Sequence, residues 1–520
     1  MNHRRMALAA LVALTGLNTT AQAADPAEPA VKGPESVADW DNAGQAFIAA
    51  SKALQDNTRR AKNVIIFIGD GMGIATQTAA RILEGQLKGR PGEENRLSFE
   101  TLPYSALSKT YSWDQQTSDS APTATAIFTG HKAREGMLSV DHTTARGECD
   151  AAQVAARALP TILELAAANG RATGVVSTAR LTHATPAATY AHTPGRDWEA
   201  DSNLPRPDCG TKDIARQLIE VALAVRSSLR VAMGGGRTYF LPKTEADPEY
   251  PSTPGRRNDG RNLTAEWLSS RSAGAVYVWN KPQFDAIDPA SSGPVLGLFE
   301  PSHMQYEADR ATDPAGEPSL AEMTDKAIRL LQAASAKSAA KSGDKGYFLH
   351  VEGGRIDHAH HAGNARRALE DTIALSDAVR RAMTLTSEAD TLIIVTADHS
   401  HTLSMAGYPH RGNPILGLVQ GVPDVDGKPV KLSTDSNGAP FTTLGYANGP
   451  GYRNAAPRAR LSSVQTTALN FLQEATVPLA SETHGGEDVA IWARGPQAYL
   501  VRGSMEQNWI FHVMREAFGF

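Results

Sequence analysis

The chain has 520 residues, a formal net charge of −5 and an apolar content of 41%. These values are typical of a globular protein and exclude a disordered or fibrous chain. The acidic balance argues against a nucleic-acid-binding surface. The length exceeds that of a usual domain, although large α/β enzymes reach it as one unit with insertions.

The first 23 residues have the three-part pattern of a signal peptide. Arg4 and Arg5 form the charged region, residues 6–17 the apolar core and residues 21–23 the small-residue cleavage site. The apolar core is too short to cross a bilayer. A buried first helix is the alternative to a signal peptide. The paired arginines leave general and twin-arginine export open. We expect a periplasmic or secreted protein of charge −7 after cleavage, with no membrane anchor.

Beyond the signal peptide, residues 24–62 are expected to form an N-terminal arm whose helix covers 36–55, with Ser36 as its N-cap. Continuous apolar runs predict strands that are buried on both faces. They cover residues 63–68, 173–176, 347–351, 391–396 and 489–492. Helical patterns lie between them, at residues 76–84, 161–168, 213–225, 321–334 and 364–384. Strands that alternate with helices indicate a mostly parallel sheet with helices on both faces.

The regular pattern breaks between about residues 402 and 482, where glycine, proline and asparagine are frequent. A strand follows, so this stretch is interpreted as a small subdomain inserted into a catalytic domain that covers 63–520. The predicted fold is therefore a three-layer α/β/α sandwich with a mostly parallel central sheet and a crown-like insertion.

Cys149 and Cys209 are the two cysteines of the chain. An even pair in an exported protein favours a disulfide, although spacing alone leaves two buried thiols as an alternative. The bridge would stabilise the fold by ~4 kcal/mol in the chain-entropy model, less any strain.

Metal-ligating residue types follow three of the predicted strands. The first strand runs into Asp70, another into residues 352–361 and a third into Asp398 and His399. A further segment with His484 comes just before a strand. Each signal is weak alone, since Asp-Gly is usually a turn. Together, carboxylates and imidazoles at several strand ends are typical of a polynuclear zinc site.

Ser120 opens a predicted apolar helix after Asp119. A serine at this position is ordinarily an N-cap. The first N–H groups of a helix also attract anions, and a serine beside a metal ion is an activated nucleophile. The sequence leaves both interpretations open.

The chain resembles the alkaline phosphatase family in six motifs. The resemblance extends from about residue 35 to the C-terminus, which is nearly the whole chain after the signal peptide. The motifs are NVIIFIGDGMG, DSAPTATA, THATPAATYAH, VEGGRIDHAHH, TADHSHT and ETHGGEDVAIWARGP. The resemblance is closer to the animal-type branch than to the enteric bacterial type. It implies a phosphomonoesterase with two zinc ions and one magnesium ion, and a homodimer.

The resemblance also assigns roles to residues. Ser120 matches the nucleophile that becomes phosphoserine, and Arg196 matches the arginine that clamps phosphate, with Asp119 to orient it. The matching zinc ligands are Asp357, His361 and His484 for the first ion and Asp70, Asp398 and His399 for the second. The matching magnesium ligands are Asp70, Thr185 and Glu352.

Three features of this sequence differ from either the enteric or the animal-type branch of the family. His183 and His358 stand where the enteric type has Asp and Lys; they are expected near the substrate, and they would allow zinc to replace magnesium. Pro122 removes one N–H from the start of the helix. A calcium site of the animal type would map to Glu249, the Phe299 carbonyl, Glu300 and Glu317.

The sequence therefore predicts a secreted alkaline phosphatase with a broad range of small phosphate monoesters as substrates. The nearest alternative is a phosphodiesterase or a sulfatase of the same superfamily. A secreted, non-catalytic metal-binding protein is the other, but a structural zinc site needs no nucleophile.

Overall fold

The computed structural model describes residues 36–520, except residues 272–273, 343–344, 427, 429 and 455–457. The predicted signal peptide lies outside the described residues. The chain forms two compact units, and the first of them ends at Ala53. The first unit holds the predicted helix as α1 (Val37–Ala53). Ser36 caps it, because its Oγ accepts from the Asp39 N–H at 3.2 Å and its own N–H donates to the Asp39 carboxylate at 2.9 Å.

The second unit, residues 54–520, is built around one large sheet. Its strands and those of two smaller sheets are β1 (Asn63–Gly69), β2 (Tyr104–Lys109), β3 (Ala172–Arg180), β4 (Leu229–Gly235), β5 (Val276–Val278), β6 (Val295–Leu298), β7 (Tyr347–Gly353), β8 (Thr391–Ala397), β9 (Ser400–His401), β10 (Leu403–Met405), β11 (Leu444–Gly449), β12 (Ala475–Pro478), β13 (His484–Gly485), β14 (Val489–Arg494) and β15 (Gly503–Glu506). Within the described residues, the large sheet has ten strands in the order β15-β2-β14-β8-β1-β7-β3-β4-β6-β5. All pairs from β8 to β5 are parallel, and β14 is antiparallel to both of its neighbours.

Helices surround this sheet. They are α2 (Ile74–Leu87), α3 (Ser120–Thr129), α4 (Ala151–Ala156), α5 (Ile162–Ala168), α6 (Ala184–Ala187), α7 (Ile214–Ile219), α8 (Leu223–Ser228), α9 (Leu263–Ser270), α10 (Lys281–Asp285), α11 (Leu320–Ser342), α12 (Arg355–His361), α13 (Ala365–Leu385), α14 (Ser463–Thr466) and α15 (Trp509–Phe518). The single helix predicted over 213–225 is wrong: the segment forms α7 and α8. They separate because α7 packs on α9 whereas α8 packs on α5.

The core lies on both faces of the sheet, as the continuous apolar runs predict. Along β1, Val64, Ile66 and Ile68 face one hydrophobic cluster together with α3, α5 and α15. The alternate residues Ile65 and Phe67 face a second cluster together with α2, α11 and α13. Successive strand residues point to opposite faces, so an all-apolar strand requires a layer on each side. The three-layer α/β/α architecture is confirmed.

The segment 402–482, which the sequence predicts to be inserted, holds the small sheet β10-β11-β12. A second small sheet pairs β9 with β13, so that His401 lies opposite His484. The predicted disulfide is present: Cys149 and Cys209 are bonded, with 4.8 Å between their Cα atoms. Among the described helices, none has the length and apolar content that crossing a membrane requires.

Candidate active site and metal centre

The carboxyl ends of β8, β1 and β7 lie side by side and bring the predicted ligands together. Gly69, the last residue of β1, pairs with Ala397 of β8 on one side and Gly353 of β7 on the other. Asp70 and Asp398 therefore leave adjacent strands at the same edge, where ligands of open α/β sheets bind. Asp357 follows from α12, which begins two residues after β7.

The predicted first zinc ligands converge on one point. The Nε2 atoms of His361 and His484 are 3.1 Å apart, and each lies 3.3 Å from Oδ1 of Asp357. The Nδ1 atom of His361 is 2.5 Å from the Glu482 carbonyl oxygen, and that of His484 is 2.7 Å from the Ser118 carbonyl oxygen. Each Nδ1 therefore carries the proton that it donates, which leaves two Nε2 lone pairs facing each other. A cation between them removes this conflict, and the carbonyls hold both rings in position for it.

His401 also lies beside this group. The sequence alone did not show that this histidine belongs there. Its Nε2 is 2.8 Å from Oδ1 of Asp357, and its Nδ1 is 2.5 Å from Oε2 of Glu482. Burial lowers the pKa of His401, but the hydrogen bonds to Asp357 and Glu482 outweigh it and raise the pKa to about 9. The His401 imidazolium therefore bridges two carboxylates and orients Asp357.

The predicted second zinc group is buried beside the predicted nucleophile. Nε2 of His399 lies 3.3 Å from Asp70 and 3.4 Å from Asp398, and the three side chains are fully buried. Burial first, and then the charges of neighbouring carboxylates, holds the pKa of Asp70 well above its usual range. Burial likewise raises the pKa of Asp398 to about 6. The group thus buries two carboxylates without enough neighbouring positive charge to stabilise them. A bound cation would supply that charge.

The three predicted magnesium ligands share one property. Among the described residues, Asp70 Oδ2, Thr185 Oγ1 and Glu352 Oε1 are buried and have no hydrogen-bond partner. Burial raises the pKa of Glu352 to about 8. Buried oxygens are normally satisfied, so three orphaned oxygens fit a hard cation with oxygen ligands.

Ser120 is the first residue of α3, and the Asp119 carboxylate caps the helix by accepting from the Ala121 N–H at 3.4 Å. The Ser120 Oγ atom lies 3.0 Å from Nε2 of His399 and 3.5 Å from Oδ1 of Asp70. All residues of α3 are buried, so packing holds the hydroxyl in place. Asp119 is the cap, and Ser120 is free to face the metal group.

Arg196 lies beside the same helix start. Its Nη1 forms an ion pair with Asp119, and its Nη2 donates to Nε2 of His183 at 3.1 Å. Burial lowers the pKa of Arg196, but Asp119 and Asp197 outweigh it and raise the pKa, so the guanidinium stays charged. A fixed, charged fork next to Ser120 can bind two oxygens of an anion.

The calcium site stays a prediction, and the structure adds one carboxylate to its candidate ligands. Glu249, Glu300 and Asp313 form a group whose oxygens lie within 4.8 Å of one another. Glu317, the predicted last ligand, accepts from the Gln305 N–H at 3.0 Å through Oε1, and its Oε2 is buried with no hydrogen-bond partner among the described residues. Phe299 is buried directly after β6.

His183 and His358 do lie together, and a third histidine, His303, joins them within 4.8 Å. His303 stands outside every motif that the sequence analysis used, and a lone histidine three residues after the Phe299–Glu300 pair carries no signal of its own. Only the packing of three strand ends reveals it.

Comparison with known proteins places the whole of this site in one family. The family model described as alkaline phosphatase matches residues 61–520. An alkaline phosphatase of Gadus morhua is 44% identical over 92% of this chain and 96% of its own length. The tissue-nonspecific alkaline phosphatase of Homo sapiens is 44% identical over 92% of this chain and 88% of its own length. Both are animal proteins, as the resemblance implied.

Solved structures show the same fold. The alkaline phosphatase of Thermus thermophilus aligns with a TM-score of 0.61 and 24% identity over 90% of this chain and 93% of that one. That of the Antarctic bacterium TAB5 aligns with a TM-score of 0.58 and 21% identity over 89% and 99%. With the family model spanning the site, the chain belongs to the alkaline phosphatase family and is a phosphomonoesterase.

Proposed function

We propose that the enzyme is exported and hydrolyses phosphate monoesters through a phosphoserine at Ser120, with two zinc ions and one magnesium ion. The observation that carries this proposal is the position of the Ser120 hydroxyl, 3.0 Å from the His399 ring and 3.5 Å from the Asp70 carboxylate. A hydroxyl that faces such a group is placed to become an activated nucleophile.

The residues fit these cations. Asp357, His361 and His484 would hold the first zinc, Asp70, Asp398 and His399 the second, and Asp70, Thr185 and Glu352 the magnesium. When bound, the ions supply positive charge that lowers the pKa of a serine hydroxyl and of water and stabilises a leaving alkoxide. The mixed nitrogen and oxygen sets suit zinc, and the all-oxygen set suits magnesium.

The chain's own residues position the phosphoryl group. The Arg196 guanidinium would bind two of its oxygens, while Asp119 holds the guanidinium in place. Ser120 Oγ loses its proton and attacks phosphorus; the ester P–O bond breaks, and the alcohol leaves with a proton. Water then attacks the phosphoserine, the P–Oγ bond breaks, and Ser120 recovers its proton. Phosphoryl transfer depends mainly on such positioning and charge neutralisation.

The second step mirrors the first, and the esterified alcohol takes no part in it, so we propose a broad range of small monoesters. We also propose a periplasmic or secreted location, supported by the signal-peptide pattern of residues 1–23, and a homodimer. A calcium ion held by Glu249, the Phe299 carbonyl, Glu300 and Glu317, with Asp313 as a further carboxylate, is part of this proposal.

The test compares p-nitrophenyl phosphate with bis(p-nitrophenyl) phosphate and p-nitrophenyl sulfate on the purified enzyme. We expect the monoester to have the highest kcat/KM by orders of magnitude. Ser120→Ala should abolish this turnover, whereas Ser105→Ala, which changes an exposed serine of β2, should leave it unchanged. Faster hydrolysis of the diester or the sulfate contradicts the proposal.

A further inference from the structure

A cavity of about 350 Å³ lies at the amino edge of the sheet, the edge opposite to the active site. It is bounded by the start of β3, the start of β4 and the second half of α11. β3 and β4 are neighbours in the sheet, and α11 packs on both of them. The volume is within the range of small-ligand sites, roughly 300–1,000 Å³.

Three cations line this cavity. Arg171 directly precedes β3, Arg230 is the second residue of β4, and Lys337 lies in α11. The other described residues that line it are alanine, glycine and serine, so none of them carries a carboxylate. Within the part of the chain that the structure describes, none of the three cations forms an ion pair. Three positive charges therefore meet at one cavity whose described walls hold no counter-charge.

Arginines that are buried elsewhere in the fold have carboxylate partners. The two most deeply buried of the described chain are Arg237 and Arg257. Arg237 pairs with Asp247 at 2.6 Å, and Arg257 pairs with Asp213 at 2.9 Å. Removing a charge from water is costly unless an opposite charge compensates it. The cations of the cavity lack this compensation, which indicates that an anion supplies it.

Arg171 is held in place by neutral groups. Its Nη1 donates to the Lys62 carbonyl oxygen at 2.7 Å, and its guanidinium lies over the Phe518 ring, 4.1 Å from the centroid. Burial lowers the pKa of Arg171 to about 10, and no carboxylate raises it again. The side chain is therefore fixed at the cavity while its positive charge is left unbalanced.

Arg230 reaches the cavity through an irregularity of the sheet. Thr173 of β3 pairs with Leu229, whereas Gly174 pairs with Val231, so Arg230 is an extra residue between two pairs. A bulge of this kind leaves its residue unpaired and changes the direction of the side chain. Burial lowers the pKa of Arg230, and its side chain has no hydrogen-bond partner among the described residues. Its guanidinium donors are therefore available to a ligand.

We propose that Arg171, Arg230 and Lys337 form a binding site for inorganic phosphate that is remote from the active site. A guanidinium matches the oxygens of phosphate in a bidentate manner, and an ammonium adds a point charge. A doubly charged oxyanion offsets most of the charge of three cations, whereas a neutral ligand offsets none. Phosphate is also the product that a phosphomonoesterase releases. When bound at this site, it links β3, β4 and α11 and stabilises the folded enzyme as its concentration rises.

The test counts bound phosphate ions and does not depend on turnover. The full-length, metal-loaded enzyme is equilibrated by dialysis against [³²P]phosphate at constant ionic strength. Arg230→Ala should bind one phosphate fewer per chain than the wild type, with kcat/KM for p-nitrophenyl phosphate unchanged. Arg329→Ala is the matched control, because it removes a cation of α11 that already pairs with Asp325 at 2.7 Å. This variant should bind as many phosphates as the wild type.

Equal phosphate contents in the wild type and Arg230→Ala overturn the proposal. A loss of the same size in Arg329→Ala also overturns it, because binding would then follow net charge alone. If Arg230→Ala does not fold, Lys337→Ala, which changes an exposed side chain, is measured in its place, and an undiminished phosphate content refutes the site. The difference between wild type and variant persists even if Arg196 does not bind phosphate, so the two proposals fail separately.

Discussion

Arg196→Ala should weaken phosphate binding without releasing the metal ions. The guanidinium is already positioned by Asp119 and His183. Substrate binding therefore costs little further conformational entropy of the Arg196 side chain. Its loss removes two charge-assisted hydrogen bonds to a buried anion, worth ~2–4 kcal/mol in kcat/KM. At about 1.4 kcal/mol per factor of ten, this is a decrease of roughly 30- to 1,000-fold.

The assay is steady-state hydrolysis of p-nitrophenyl phosphate with inorganic phosphate as a competitive inhibitor. Substrate and phosphate both use the fork, so KM and the inhibition constant should rise together. Arg196→Lys should recover only part of the loss, because an ammonium supplies charge without the bidentate geometry. Arg206→Ala is the control, since that side chain is 62% exposed. An inhibition constant that stays unchanged in Arg196→Ala refutes the reasoning.

Three further predictions concern the metal site and the stability of the fold. Asp357→Ala should release one zinc per chain and abolish turnover, because two histidines alone bind zinc far more weakly; metal analysis after dialysis measures this. Titration of the denatured, unreduced protein should find no free thiol, because Cys149 and Cys209 are bonded. Replacing His192 with Gln should lower the thermal midpoint most between about pH 4.5 and 6.5, where its ion pair with Glu164 is fully formed.

The signs of the pH prediction follow from the two partners. Folding raises the pKa of His192 above its usual 6.5, so its contribution is complete below pH 6.5 and is lost as the pH rises through the folded value. Folding lowers the pKa of Glu164 below 4.5, so its contribution is complete above pH 4.5 and is lost as the pH falls. A difference between wild type and variant that is independent of pH contradicts this account. Full zinc content in Asp357→Ala, or two free thiols, contradicts the other two predictions.

The central strands were predictable because burial on both faces leaves a continuous apolar run, as in residues 63–68. Strand β2, which lies next to the edge strand β15, was not, because four of its six residues are not fully buried and its sequence YSALSK has no continuous apolar run. β4 was missed as well, since Arg230 interrupts its apolar sequence. Strands at the centre of a sheet carry a stronger sequence signal than strands near its edges.

The site was predictable wherever a motif supplies both the ligand and its neighbours, as it does for Asp70 and Asp357. Residues that act through tertiary contacts carried no comparable signal. Asp313 joins Glu249 and Glu300 through the path of its loop, and no motif of the sequence marks it. His303 enters its cluster only because β6 lies two strands from β3.

The most direct measurement of the proposed mechanism is acid quenching of the enzyme during turnover of a phosphate monoester, followed by peptide mass spectrometry. The account predicts one phosphoryl group, located on Ser120, and none in Ser120→Ala. A phosphoryl group on a different residue, or turnover that survives in Ser120→Ala, would contradict it.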